Sequence, residues 1–123
     1  MPFWPRLYTI VLVIQIIGTR KDRETAKAIR FCKERSIACQ FVDLSQRSLS
    51  AGEWDSIFAH HDPASLVDHD GALYRRGGFE HRIFDPKEEL IENPLLLRLP
   101  ILRSRGRVHV GCDEAVLALW GGL

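Results

Sequence analysis

Apolar and polar positions change rhythm twice in the first third of this chain. Val11–Ile17 (VLVIQII) is a nearly continuous β-branched run, as suits a strand buried on both faces. From Arg23 to Arg35 the pattern turns helical, with Thr25, Ala28, Ile29 and Cys32 on one stripe. Cys39–Leu44 (CQFVDL) returns to strand character. A strand, a helix of this length and a second strand make a βαβ unit, so the spacing predicts two parallel strands.

The stretch from about 50 to 97 is punctuated as helices. Ser50 and Glu53 stand at capping-box spacing ahead of Trp54, Ile57 and Phe58, a stripe that reads as core packing. Asp62-Pro63, Asp85-Pro86 and Asn93-Pro94 each set a capping side chain before a proline at the first helical position. Glu88 is spaced to complete a capping box with Asp85, and Tyr74–Gly78 (YRRGG) reads as a solvated turn. LPILR and RVHVG then form a hairpin through the turn at Ser104–Gly106, and DEAVLALW closes the chain as a helix. The order is β-α-β, helices, β-β-α. It predicts an α/β fold whose four-stranded mixed sheet is interrupted by a helical insertion.

Composition narrows the possibilities. The 123 residues are 46% hydrophobic, enough for one compact domain over 1–123 with the insertion at about 50–97. Seventeen basic and sixteen acidic side chains, interspersed, leave a net charge of +1, which argues against nucleic-acid or acidic-membrane binding. The run Leu7–Ile17 is too short to span a bilayer and no small-residue cleavage site follows it, so it reads as buried strand rather than targeting segment. Three cysteines, Cys32, Cys39 and Cys112, without a CxxC pair do not make a secreted disulfide framework; a reducing cytoplasm is the expected home. Cys32 and Cys39 read as small buried hydrophobes, Cys112 as more exposed. His60 and His61 are adjacent and cannot face one ion from a helix, while His109 with Cys112 supplies only two ligands. Neither a metal nor a cofactor is expected.

The most unusual chemistry lies in IIGTRKDRETAKAIRF, residues 16–31, where a strand passes through one glycine into a helix. Arg20, Lys21, Arg23 and Lys27 crowd the helix start, a place that favours anions. Yet the chain puts an acid, Asp22, at its centre. An aspartate there satisfies the free N–H groups as a helix cap.

Two stretches, IQIIGTRKDRETAKAIRFCKERSIACQFVDL and FDPKEELIENPLLLRLPILR, resemble the arsenate reductase family of glutaredoxin-related proteins, which includes the Spx-type transcription regulators. The resemblance runs from about Ile14 to Trp120; the first dozen residues have no counterpart. It implies a thioredoxin-like fold with a cis-proline at Pro100. It also implies a reactive cysteine after the first strand, at the position that Asp22 occupies. Family members place an arginine directly before the proline, where this chain has Leu99. Arg98, one step earlier, falls on the opposite face of an extended segment. Arg107 in the hairpin matches a basic oxyanion-binding position of the family. The resemblance thus implies a binding or regulatory protein without the catalytic cysteine, its surface built from Arg20, Lys21, Asp22, Arg23, Pro100 and Arg107. Spx-type relatives bind RNA polymerase, so the expected partner is a protein. The alternative is a thiol-dependent oxidoreductase of the arsenate reductase type with a relocated cysteine, for which glutathione or glutaredoxin would be the partner.

Overall fold

The structure is a computed structural model and describes residues 13–123. The predicted strand start at Val11 and most of the run weighed as a targeting segment lie outside them. In chain order the elements are β1 (Ile14–Gly18), α1 (Arg23–Glu34), β2 (Cys39–Asp43), α2 (Ala51–His60), α3 (Pro63–Leu66), α4 (Ala72–Arg76), α5 (Pro86–Glu92), β3 (Ile101–Ser104), β4 (Arg107–Val110) and α6 (Glu114–Trp120). Short 3-10 turns at Phe79–His81 and Pro94–Leu96 flank α5. The chain forms two compact units. One holds the described residues up to Arg47 together with Leu99–Leu123; the other is Ser48–Arg98.

The first unit is a four-stranded mixed sheet in the order β2-β1-β3-β4. β1 and β2 are parallel, with Ile14 opposite Cys39 and Gly18 opposite Asp43. β3 runs antiparallel to β1, with Ile17 opposite Ile101, and β4 antiparallel to β3. Ile14, Ile16 and Ile17 are all 0% exposed, so β1 is buried on both faces as its β-branched run requires. Ile14, Ile16 and Leu102 pack against Ala28, Phe31 and Cys32 of α1 and Leu117 of α6. Ile29, expected on the inner stripe of α1, lies only partly buried beside this cluster, and Phe31 fills the inner face instead.

Two turns shape this unit. The last turn of α1 closes with the Ser36 N–H donating to the Lys33 carbonyl and the Ile37 N–H to the Cys32 carbonyl, at 3.4 and 2.9 Å. This is a Schellman motif, with Ser36 at φ 55° where glycine is usual. In the β3–β4 hairpin, Arg105 and Gly106 have φ 53° and 75°, the left-handed pair that a two-residue type I′ turn needs.

In the second unit the Ser50–Glu53 capping box forms in full: the Glu53 N–H donates to the Ser50 hydroxyl and the Ser50 N–H to the Glu53 carboxylate, at 3.1 and 2.8 Å. Asp62 and Asp85 cap α3 and α5. Asp85 accepts from the Lys87 N–H at 3.1 Å, one residue short of the Glu88 N–H that a capping box would use. Asn93 does not cap with its side chain, which donates instead to Glu89. The following element is a single 3-10 turn whose first residue is proline and lacks an N–H, and the Leu96 N–H already reaches the Asn93 carbonyl. Tyr74–Arg76, read as a turn, belong to α4, which Gly77 ends. Trp54 and Ile57 are buried, and Phe58 stacks on Trp54 at 5.2 Å. No helix among the described residues is long and apolar enough to cross a membrane.

Ser36 carries a testable cost. An L-residue in the left-handed region costs roughly 1–2 kcal/mol, against about 0.5–1 kcal/mol for the extra chain entropy of glycine. Ser36→Gly is therefore expected to stabilise the protein by about 0.5–1 kcal/mol in urea unfolding. A lower midpoint would mean that the Ser36 side chain contributes a contact worth more than the strain.

Candidate functional site

The β1–α1 junction is built on one close approach. Asp22, with φ −75° and ψ 124°, is the N-cap of α1. Its Oδ2 accepts from the Thr25 N–H at 2.8 Å and from the Thr25 hydroxyl at 2.6 Å. The Asp22 N–H in turn donates toward the Thr19 carbonyl and hydroxyl, both at 3.3 Å. Thr25 is 0% exposed, a buried hydroxyl that needs a partner and finds it in Asp22. Behind it lies Gly18: a Cβ there would stand 2.2 Å from Thr25 Oγ1 and 2.6 Å from its Cγ2. The glycine is required by the space that threonine occupies.

The cations do not all gather at this cap. Arg20 turns to the end of β2, 3.8 Å from the Asp43 carboxylate and over the Phe41 ring at 5.4 Å. Asp43 also accepts from the Ser45 hydroxyl at 2.6 Å and the Ser45 N–H at 3.0 Å. These bonds, with some attraction from Arg20, hold its carboxyl below the usual carboxylate range. Lys21 and Arg23 are exposed and, with Asp22, Glu24, Lys27 and Arg30, line a shallow depression of about 720 Å³. Cations and acids are mixed in it.

Pro100 is buried and follows a cis Leu99–Pro100 bond. Because Ile17 pairs with Ile101, Pro100 lies at the Gly18 end of the sheet, the end from which α1 starts. Arg107 does not join it. It pairs with Ser104 at the other end of β3, donates from Nε to the Ser104 carbonyl at 3.2 Å, and lies over the Trp120 ring at 4.7 Å. The four-residue β3 thus separates Arg107 from the helix start, so the grouping expected from the loose hairpin spacing does not form. Arg98 donates its backbone N–H to the Leu66 carbonyl at 2.8 Å and its guanidinium toward the Ser65 carbonyl at 3.5 Å.

The cysteines hold what the linear reading missed. All three pack at one core cluster: Cys32 inside it, Cys39 and Cys112 against it. Interaction with the neighbouring Cys32 thiol lowers the Cys39 thiol to about 7 although burial opposes it. The same interaction, then burial, pushes Cys32 far up. Burial and the nearby Glu24 carboxylate raise Cys112. Among the described residues no three His, Cys, Asp or Glu side chains form a group able to hold a metal ion.

The Gly18–Thr25–Asp22 contact makes linked predictions. Asp22→Ala should cost about 0.5–2 kcal/mol, and Asp22→Asn less, since an amide oxygen still accepts both Thr25 donors. Gly18→Ala should cost about 1–3 kcal/mol by overpacking, and combining it with Thr25→Ala should cost less than the sum of the two. Additive losses in chemical denaturation would show that Thr25 does not rest on Gly18.

No family model and no curated protein matches this sequence. Solved structures do match its fold. The YffB protein superposes with a TM-score of 0.74 at 19% identity, covering 86% of this chain and 96% of its own. An arsenate reductase from Vibrio cholerae gives 0.70 at 15% identity, covering 87% and 96%. An ArsC-family-related protein from Bacteroides fragilis gives 0.73 at 13% identity, also covering 87% and 96%. The chain therefore has the thioredoxin-like fold of the solved arsenate reductase (ArsC) proteins, over nearly their full length.

Proposed function

We propose that this chain is an arsenate-reductase-family protein that keeps the fold without cysteine chemistry at its helix start, and acts as a binding or regulatory protein. The observation that carries this reading is the Asp22 carboxylate, which accepts the Thr25 N–H and hydroxyl at 2.8 and 2.6 Å. A carboxylate satisfies the same N–H groups as a thiolate or bound oxyanion. It cannot attack arsenic or a disulfide and be regenerated by thiols. Leu99 brings no charge to the residue before Pro100, and Arg20 is engaged with Asp43. Arsenate chemistry thus lacks both its nucleophile and its arginine.

The exposed Lys21 and Arg23, followed by Lys27 and Arg30 along α1, give this face cations for an acidic protein surface. By analogy with Spx-type relatives, RNA polymerase is the first partner to test. The protein should show no thiol-dependent arsenate reduction above background. It should bind a protein partner that Lys21→Glu/Arg23→Glu loses while Arg20, tied to Asp43, is left in place. Arsenate turnover by the wild type, or binding unchanged by the double reversal, would overturn this reading. Asp22→Cys should give a thiol below the ordinary value of about 8.5 at the helix N-terminus, yet still reduce arsenate poorly because Leu99 precedes Pro100. Efficient turnover by that variant would show that the arginine is dispensable.

A second reading, a thiol-dependent oxidoreductase with a relocated cysteine, is favoured by one observation: Cys32 and Cys39 pack at the same core cluster.

A further inference from the structure

Within Ser48–Arg98, α2 and α5 line an apolar groove of about 440 Å³. Each helix contributes a pair of side chains one turn apart: Trp54 and Phe58 from α2, Lys87 and Ile91 from α5. Leu49, just ahead of the Ser50 cap, also lines it. The stripe expected as core therefore divides. Ile57 is 0% exposed, but Phe58 is half-buried and turns to the groove, and Ile91 across from it is 46% exposed. Large apolar side chains left open in a concavity are the usual lining of a small-molecule pocket, and such pockets span roughly 300–1,000 Å³. Two charges stand over this lining, one from each helix. Lys87 holds its ammonium 5.5 Å from the centre of the Phe58 ring, and Asp55 is exposed on α2. They do not pair with each other, and among the described residues neither meets another ion. Caps at Ser50 and Asp85 fix the starts of both helices, which sets the walls before any ligand arrives.

We propose that this groove binds a free α-amino acid with a large apolar side chain. The side chain lies on Phe58 and Ile91, the α-carboxylate meets Lys87, and the α-ammonium meets Asp55. Charge complementarity selects this class of ligand. A simple carboxylate gains Lys87 but faces Asp55, and a simple amine gains Asp55 but faces Lys87. A neutral apolar molecule pairs with neither charge. A zwitterion pairs with both, and its side chain takes from water the apolar surface that Phe58 and Ile91 leave open. Binding is non-covalent, and no proton or electron moves. The site rests on neither Asp22 nor the cysteines, and it goes beyond the binding role proposed for the α1 face.

The test is a titration of the full-length protein with L-phenylalanine, followed in proton–nitrogen correlation spectra. The Leu49, Lys87 and Ile91 amides and the Trp54 indole should shift together and saturate. Lys87→Gln and Asp55→Asn, both at exposed positions, should keep the fold. Each should weaken phenylalanine binding by about 1.5- to 5-fold, the range of an exposed ion pair. N-acetyl-L-phenylalanine amide keeps the ring and loses both charges. It should bind the wild type more weakly than phenylalanine does, and bind the wild type and both variants equally. That equality separates lost charge pairing from a changed groove. No saturable shift, shifts centred elsewhere, or unchanged affinity in both variants would overturn the proposal. So would equal binding of phenylalanine and its blocked analogue to the wild type, which would make the groove a seat for a side chain carried by a peptide.

Discussion

The contact of Thr25 with the backbone of Gly18 is the constraint on which the sheet-bearing unit depends. It fixes how closely the first turn of α1 approaches the end of β1. From there the helix lays Ala28, Phe31 and Cys32 on Ile14 and Ile16. The buried hydroxyl that makes this approach needs an acceptor, and Asp22 supplies it with the same oxygen that caps the helix. Cap and packing are one arrangement: removing the carboxylate strands a buried hydroxyl as well as an N–H. This explains why an acid is compatible with a helix start surrounded by cations.

The same arrangement changes the electrostatics of the site. A helix N-terminus carries a partial positive charge that falls off within the first turn, and Asp22 answers it internally. Arg20 pairs with Asp43 while its side chain stays exposed, as Lys21 and Arg23 beside it do.

Much of this was legible in the chain because its signals are local. The Ser50–Glu53 box, the aspartate caps and the β-branched run of β1 are patterns spanning a few residues, and they form where the spacing puts them. Asn93 departs from its pattern because its side chain donates back to Glu89 and caps nothing. The proximity of Cys32 and Cys39 was hidden because the turn that creates it has Ser36, not glycine, at the left-handed position. Cys112 reaches the same cluster only through the sheet, which no spacing records. Arg107 was misplaced for a related reason: a hairpin is readable as a turn, but which end of the sheet it occupies depends on the pairing of β3 with β1.

That pairing has a consequence for how the chain closes. β1 meets β2 across a single helix, from Ile14 to Cys39, but it meets β3 across a far longer path, with Gln15 and Arg103 separated by 88 positions. Loop-closure entropy grows only logarithmically, so the long closure costs roughly 1 kcal/mol more than the short one. Prior compaction of Ser48–Arg98 shortens the flexible path further, since ordered residues no longer count as free chain. A large excursion between the halves of the sheet is thus thermodynamically cheap, and the central strand can have neighbours drawn from opposite ends of the sequence.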